Sequence, residues 1–566
     1  MVQLTLKRAR LPGSGFGGHT MRNNGSGRGR RIVMIVGLAA MAMFGLPGLS
    51  APGQAATSTI GSWELTDHLN VVRFGHTTTL MGNGKVLVAG GRSATAAPFT
   101  NHASAEVFDP ITEEFTLTGF MGNARFSHTA TLLPNGKVLV AGGFGDPPST
   151  PNQPVLDTAE LYDPATGTWT PTGSLNTRRA LHIAVLLNNG KVLVAGGRTC
   201  DVPPPGGANC ASSFRTPTAE LYDPATGVWT PTGSMNFDRH TTAAALLPDG
   251  RVIVPGGFTF ATPNGSNSAD IYDPATGNWS LNCCLNVGRS RQGAMRLQDG
   301  RVLIALGFRG PSVPNPTTET FDPVTQSWSF AGDINFPFSR FNFWYGVLPN
   351  GKAVVAGGQH FVGPGNEGIV RNSHIFDPTT NQWTDTGSMN EPHGTPGGIQ
   401  NSQPMVILSA SPTSYVADPA VCGRHCGKAL VAGDSLTGSS ELFTAPNTCF
   451  GFNATILGTE GADTIVGTRG RDVIVALGGE DRITASYGND IICGGEGNDF
   501  ISGDYNDDVV LAEAGADRVT GGDGNDYAFG ESGPDQLAGM AGTDTADGGK
   551  FENGGNSCFA EVVRNC

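Results

Sequence analysis

The sequence predicts an all-β chain made of two different repeat arrays behind a short leader. Three observations carry this. The nonamer NGKVLVAGG occurs three times, at 83–91, 135–143 and 189–197. An aspartate recurs every nine residues from Asp463 to Asp544. The composition, with 82 Gly and 37 Pro in 566 residues and only 15% charged, suits many short strands joined by turns rather than long solvated helices.

Residues 1–56 read as an export signal. Seven arginines and lysines between Lys7 and Arg31 precede an apolar run, IVMIVGLAAMAMFGL, and small residues follow at GQAAT. The run is short of the ~20 residues that span a bilayer, so no transmembrane segment is expected once the signal is removed. Ten cysteines suit the oxidising exterior that such a signal implies. Cys422 and Cys426 (CGRHC) read as a loop disulfide, with Cys449–Cys493 and Cys558–Cys566 as further pairings.

From 57 to 447 the chain repeats about every fifty residues. Looser copies of the nonamer follow at DGRVIVPGG, DGRVLIALG, NGKAVVAGG and GKALVAGD, making seven. Each of the first six is followed by a second signature, such as AELYDPATGTW from Ala159. This is a short apolar run, an Asp-Pro turn and an aromatic residue. The seventh unit stops at SSELFTAPN, and its missing strand stands at the other end as GSWELTDHL. The aromatic positions are then Trp63, Phe115, Trp169, Trp229, Trp279, Trp328 and Trp383, also seven. Gly-Gly, aromatic-Asp-Pro and Trp recurring in order resemble the kelch motif, and the resemblance implies a seven-bladed β-propeller closed by its N-terminal strand.

His76, His128 and His182, and arginines from Arg73 to Arg340, recur at fixed places in their units, so they read as scaffold. Residues that break the pattern are the ligand candidates: Arg340, Phe343, Trp344 and Tyr345 in SRFNFWYG, with His360 nearby, because aromatic faces stack on sugar rings. Galactose oxidase also builds a domain from kelch units. That resemblance implies a copper site of tyrosine and histidine ligands with a Tyr–Cys crosslink, and no such Tyr-His pair or cysteine is evident here.

From 448 to 566 the period is nine. Asp463, Asp472, Asp481, Asp490, Asp499, Asp508, Asp517, Asp526, Asp535 and Asp544 fall in register, with Gly two before in nine of ten units and Ile, Val, Leu or Ala two after in all ten. From Gly451 onward there are 21 Asp plus Glu against 6 Lys plus Arg, a balance that favours cations as partners and argues against nucleic acid. The pattern resembles the RTX nonapeptide, which implies a parallel β-roll holding Ca²⁺ at these ten aspartates. Two nonamers make one coil, so alternate aspartates stack, and stacked carboxylates repel unless a cation lies between them. GGEGND and GGDGND keep the full pattern. ALGGED, ASYGND and GDYNDD each lack a glycine and are expected to make weaker sites.

The expectation is a secreted protein: a seven-bladed kelch-type β-propeller that binds an extracellular glycan or protein, followed by an RTX-type β-roll that folds on calcium. The alternatives are a sugar-active enzyme with its site at the channel and a structural surface protein.

Overall fold

The computed structural model describes residues 61–566 apart from 94–98, 147–153, 201–212, 310–314, 335–338, 362–366, 395–401, 410–417, 436, 550–555, 561 and 565. The leader, including the expected signal, lies outside the described residues.

The fifty-residue units form seven antiparallel sheets of the propeller. In the first blade the strand order is Thr77–Leu80, Val86–Ala89, Ala105–Asp109, Glu114–Thr118, and the next five blades repeat it, the sixth adding Gln403–Pro404 in parallel beside its first strand. The seventh joins Val406–Ile407, Ala429–Ala432 and Ser440–Thr444 to the N-terminal strand Ser62–Leu65, whose Trp63 pairs with Phe443. The ring is therefore closed by the strand that the aromatic count assigned to the last blade.

The nonamer is the second strand of each blade. Its VLVA core is buried at all four positions because it has sheet neighbours on both sides and blades on both faces. The asparagine at its head closes an Asx turn, its side chain accepting from the backbone N–H two residues on, as Asn83 does from Lys85 at 3.2 Å. The Gly-Gly pair ends the strand where the next blade passes. A Cβ on Gly90 would lie 2.6 Å from the Arg125 carbonyl, and its φ of +67° already disfavours a side chain.

The aromatic of each fourth strand faces the tyrosine or phenylalanine of the third, as in Tyr162 and Trp169 at 5.0 Å between centroids. The indole also ties blades together: the Trp169 Nε1–H donates to the Gly119 carbonyl at 2.9 Å and Trp229 to Gly173 at 2.8 Å.

The nonapeptides form a two-sheet parallel coil. Strands from alternate repeats stack in one six-stranded and one seven-stranded sheet. The residues two after each aspartate, from Ile465 to Ala546, all point into the thin core between them. The outer face of the seven-stranded sheet does not face solvent. Val473, Val475, Ile491, Leu511 and Phe529 pack with Phe450 and with Leu408, Leu430 and Leu442 of the seventh blade, in a cluster that reaches Phe108 and Phe115 of the first. A Cys449–Cys493 disulfide ties the entry of the roll to that sheet, and Cys422–Cys426 and Cys558–Cys566 are bonded as the spacing suggested. Cys283 and Cys284 are bonded to each other.

Candidate functional site

The recurrent arginines are internal. Arg73, Arg125, Arg179, Arg239 and Arg289 are fully buried and meet Glu106, Glu160, Glu220, Asp270 and Glu319 at 2.5–2.7 Å. Arg125 also donates to the Gly142 and Thr158 carbonyls, at 2.8 and 2.9 Å, while Glu160 accepts from the Gly122 N–H. In the Arg125–Glu160 pair every charged group thus has a partner, which is the condition for a buried ion pair to hold. The histidines bridge blades: His128 reaches Thr77 Oγ1 at 3.1 Å, His182 reaches Thr129 Oγ1 at 3.0 Å, and His76 reaches the Ala432 carbonyl at 2.7 Å. Burial holds all three imidazoles well below their usual pKa, so they are neutral.

The aromatic stretch singled out for ligand stacking packs inward. Arg340, Phe343 and Trp344 are 0–1% exposed, and Tyr345, whose hydroxyl is pushed up to about 12 by burial, lies beside the same core. The sixth blade also has His374 where other blades carry the acid, and Arg340 donates instead to the Gly357 and Asn372 carbonyls. His360 lies half-buried on a short strand, paired in register with Arg340. A cationic cavity lies elsewhere on the propeller, lined by Arg198, Phe214, Arg215, His240, Phe258 and Arg291.

In the roll the ten aspartates form two columns with a period of eighteen residues. From Asp481 to Asp544 one carboxylate oxygen has the same role. Asp481 Oδ1 accepts from the Asp463 N–H at 2.7 Å, Asp490 from Asp472 at 2.7 Å, Asp499 from Asp481 at 2.9 Å, and so on to Asp544 from Asp526 at 3.0 Å. Asn556 ends one column by accepting from the Asp535 N–H, a position the nine-residue count did not reveal because the spacing there is 21.

The second oxygen distinguishes two groups. In Asp463 and Asp472 it accepts from the backbone and hydroxyl of Thr459 and Thr468, so these two cap their own turns. In Asp481, Asp490, Asp499, Asp508, Asp517, Asp526 and Asp535 it is buried with no hydrogen-bond partner among the described residues. Burial pushes these acids up, Asp499 to about 6, Asp508 to about 8 and Asp517 to about 7, and the neighbouring carboxylates of the column add to the shift.

Space for an ion sits beside the orphaned oxygen. A Cβ on Gly494 would lie 2.7 Å from Asp499 Oδ2, and one on Gly530 would lie 2.5 Å from Asp535 Oδ2. Neither glycine has positive φ, so the backbone does not require it and the space does. Alanines occupy this position at Ala476, Ala485 and Ala512, all fully buried. The first two are the departures seen in the sequence. The third, in AEAGAD, was missed there and is legible only once the position is known to face the carboxylate. At the next position Asp504 takes the left-handed conformation, φ +74°, that Gly495 and Gly522 also adopt.

A buried, orphaned carboxylate oxygen beside a cleared space is the donor chemistry that Ca²⁺ takes, so the residues fit the ion. No three His, Cys, Asp or Glu side chains converge on one point among the described residues. An oxygen shell there must therefore draw on backbone carbonyls as well.

Comparison with known proteins agrees with both arrays. The RTX calcium-binding nonapeptide repeat matches residues 457–492, 484–519 and 520–553, and the kelch motif matches 125–176. The chain carries RTX calcium-binding repeats on a β-solenoid and a kelch domain. Among curated proteins it is similar to tRNA wybutosine-synthesizing protein 4 of Saccharomyces cerevisiae, 36% identical over 80 residues, or 14% of this chain and 11% of that one. It is also similar to N-acetylneuraminate epimerase of Pasteurella multocida, 29% identical over 198 residues, 31% of this chain and 50% of that one. The chain spans half the length or less of these relatives. A solved fungal alcohol oxidase of the AA5 family, in complex with copper, aligns with a TM-score of 0.50 at 15% identity, over 72% of this chain and 82% of that one. That likeness concerns the fold, and meets the expected similarity to the galactose-oxidase type of kelch domain.

Three of the propeller's described tyrosines are committed to the scaffold, away from any copper-ligand role. Tyr162, Tyr222 and Tyr272 are engaged between blades, with Thr118, Thr172 and Thr232 at 2.8–2.9 Å, and no described cysteine is free. No helix among the described residues is long and apolar enough to cross a membrane.

Proposed function

We propose that this is a secreted calcium-dependent binding protein. Residues 1–56 are its export signal, 57–447 the propeller that takes an extracellular ligand, and 448–566 the calcium-loaded roll. The observation that carries the reading is the ladder of buried Oδ2 atoms, which at Asp499, Asp508, Asp526 and Asp535 lie beside a glycine with no side chain to fill the space. Asp481, Asp490, Asp499, Asp508, Asp517, Asp526, Asp535 and Asp544 are the assigned ligands. Asp499 and Asp526, in the turns that keep every glycine, make the strongest sites, while Asp463 and Asp472 are spent on their threonines. Bound calcium would neutralise columns of carboxylates that otherwise repel. The chain's own part is to hold each Oδ1 on the backbone and leave Oδ2 for the ion.

A glycan is favoured over a protein as the propeller's ligand. The cationic cavity combines aromatic faces with arginines, and one curated relative is an epimerase of a sugar, N-acetylneuraminate. Calorimetric titration of the chelator-stripped full chain tests the roll, with several calcium ions expected per chain and a higher melting temperature. Identical melting curves in EGTA and in calcium would sink it. A glycan array probed with the calcium-loaded chain tests the propeller.

A further inference from the structure

One residue from each of the first five blades joins a chain of backbone hydrogen bonds that runs from blade to blade. The N–H of Ser127 donates to the Gly75 carbonyl at 2.8 Å, Leu181 to Ser127 at 3.0 Å, Thr241 to Leu181 at 3.3 Å, and Arg291 to Thr241 at 2.8 Å. All have φ between +50° and +64°, so the repeat fixes the backbone while the side chains differ. Among these residues Arg291 is the cationic member. Its guanidinium lies 5.6, 5.7 and 5.0 Å from the ring centroids of Phe258, Phe308 and Phe341, which hold it in place.

Two more arginines join it. Arg198 follows the Gly-Gly pair of the third blade, and a short hairpin sets it in register opposite Arg215. With His240, Phe214 and Phe258 these arginines line a cavity of about 330 Å³. No described lining residue is a carboxylate. His240 reports the resulting field: burial and then Arg215, Arg198 and Arg291 drive its pKa down to about 3. Phe214, at 46% exposed, adds an open aromatic face at the rim. Cations gathered without an acid in the lining suit an oxyanion, because the planar guanidinium matches carboxylate and sulfate oxygens in pairs. The phenyl face adds a preference for a ligand with an apolar side, such as a pyranose.

We propose that this cavity binds an acidic carbohydrate, its carboxylate or sulfate ester held by Arg198, Arg215 and Arg291 and its ring against Phe214. The proposal rests on the reading that the propeller takes a glycan, and names the class. It differs from the sequence expectation, which put the ligand on the sixth blade's aromatics. Those are core, while the residues at work here come from the third, fourth and fifth blades.

The test is calorimetry on the calcium-loaded full chain with four probes: a galacturonate tetrasaccharide, a sulfated galactan tetrasaccharide, the neutral galactan tetrasaccharide and sodium sulfate. One of the two acidic sugars is expected to bind at least tenfold more tightly than the neutral one, and which of them does so separates carboxylate from sulfate. Arg215→Ala and Arg291→Ala are each expected to weaken it roughly tenfold or more, the factor that ~1.4 kcal/mol represents. Arg215→Ala should keep the parent melting temperature, which separates loss of binding from loss of fold. Neutral sugar bound as tightly as acidic, sodium sulfate bound as tightly as either sugar, or unchanged binding by Arg215→Ala would each overturn the proposal. If the acidic probes fail while a glycan array returns a neutral ligand, only this proposal falls. A blank array removes the glycan reading as well.

Discussion

Asp508→Asn separates calcium binding from turn capping, because the two roles predict opposite results. Asp508 is fully buried, with Oδ1 on the Asp526-to-Asp490 column and carboxylates one coil away on each side. Adjacent strands in a sheet lie ~4.8 Å apart. Two unit charges at that spacing repel by ~3.5 kcal/mol at an effective dielectric of about 20, so two neighbours give ~7 kcal/mol as an upper bound. Protonation removes much of this, since burial has already pushed Asp508 up to about 8. Asparagine keeps the Oδ1 acceptor for the Asp490 N–H and carries no charge. Without calcium the variant should therefore be more stable than the parent, by roughly 2 kcal/mol or several degrees in a domain of this size. With calcium the order should reverse, because one oxygen donor has become an amide. Differential scanning calorimetry of both proteins in EGTA and in millimolar calcium reads both signs. Equal melting temperatures under both conditions would mean that the aspartate only caps its turn, and the calcium assignment would fail.

Three further outcomes are expected. Gly530→Ala puts a methyl 2.5 Å from Asp535 Oδ2 without straining the backbone, so fewer calcium ions should bind in equilibrium dialysis while the calcium-free melting temperature changes little. Arg289→Ala leaves Glu319 buried without its cation and should cost about 3–5 kcal/mol in urea denaturation, with Glu319→Gln combined with Arg289→Met recovering part of it. Burial pushes Asp434 up from 3.8 to about 7. The folded state then holds a proton that the unfolded state has released, so this contribution is present below pH 4 and is lost as pH rises toward 7. Melting temperatures of Asp434→Asn and the parent should accordingly diverge between pH 4.5 and 7.5, with the parent losing more on the alkaline side.

Repetition made most of the fold legible. A turn glycine, a strand buried on both faces and a tryptophan that bonds to the neighbouring blade are local demands, and each blade must meet them separately. Trp63 could be assigned to the last blade because the seventh unit lacked its last strand and a spare strand stood before the first. The nine-residue register was equally plain, and it correctly paired aspartates eighteen apart. What the sequence did not reveal depends on distance in space. The acid that meets each arginine lies 30 to 41 residues later, across a variable loop. SRFNFWYG looked like a binding stretch because it broke the pattern. Its aromatics instead fill the blade's core. Arg198, Arg215 and Arg291 each look ordinary in sequence and gain meaning only when the third and fifth blades bring them to one cavity.

The docking of the roll follows from the same distinction. The outer face of its seven-stranded sheet shares one apolar cluster with the first and seventh blades, where the ring closes. The polar contacts fall on the same seam. Lys428 of the seventh blade meets Glu64 of the closing strand at 2.7 Å, and Arg424 meets both Glu113 of the first blade and Glu531 of the roll. Glu513 of the roll, pushed up to about 7 by burial, faces this group. A propeller closed by four residues of N-terminal strand has its weakest joint there, because that strand contributes one edge and little area. The roll covers that joint, and the Cys449–Cys493 bridge holds it there. The roll thus buttresses the ring through a shared apolar cluster and the Arg424–Glu531 ion pair.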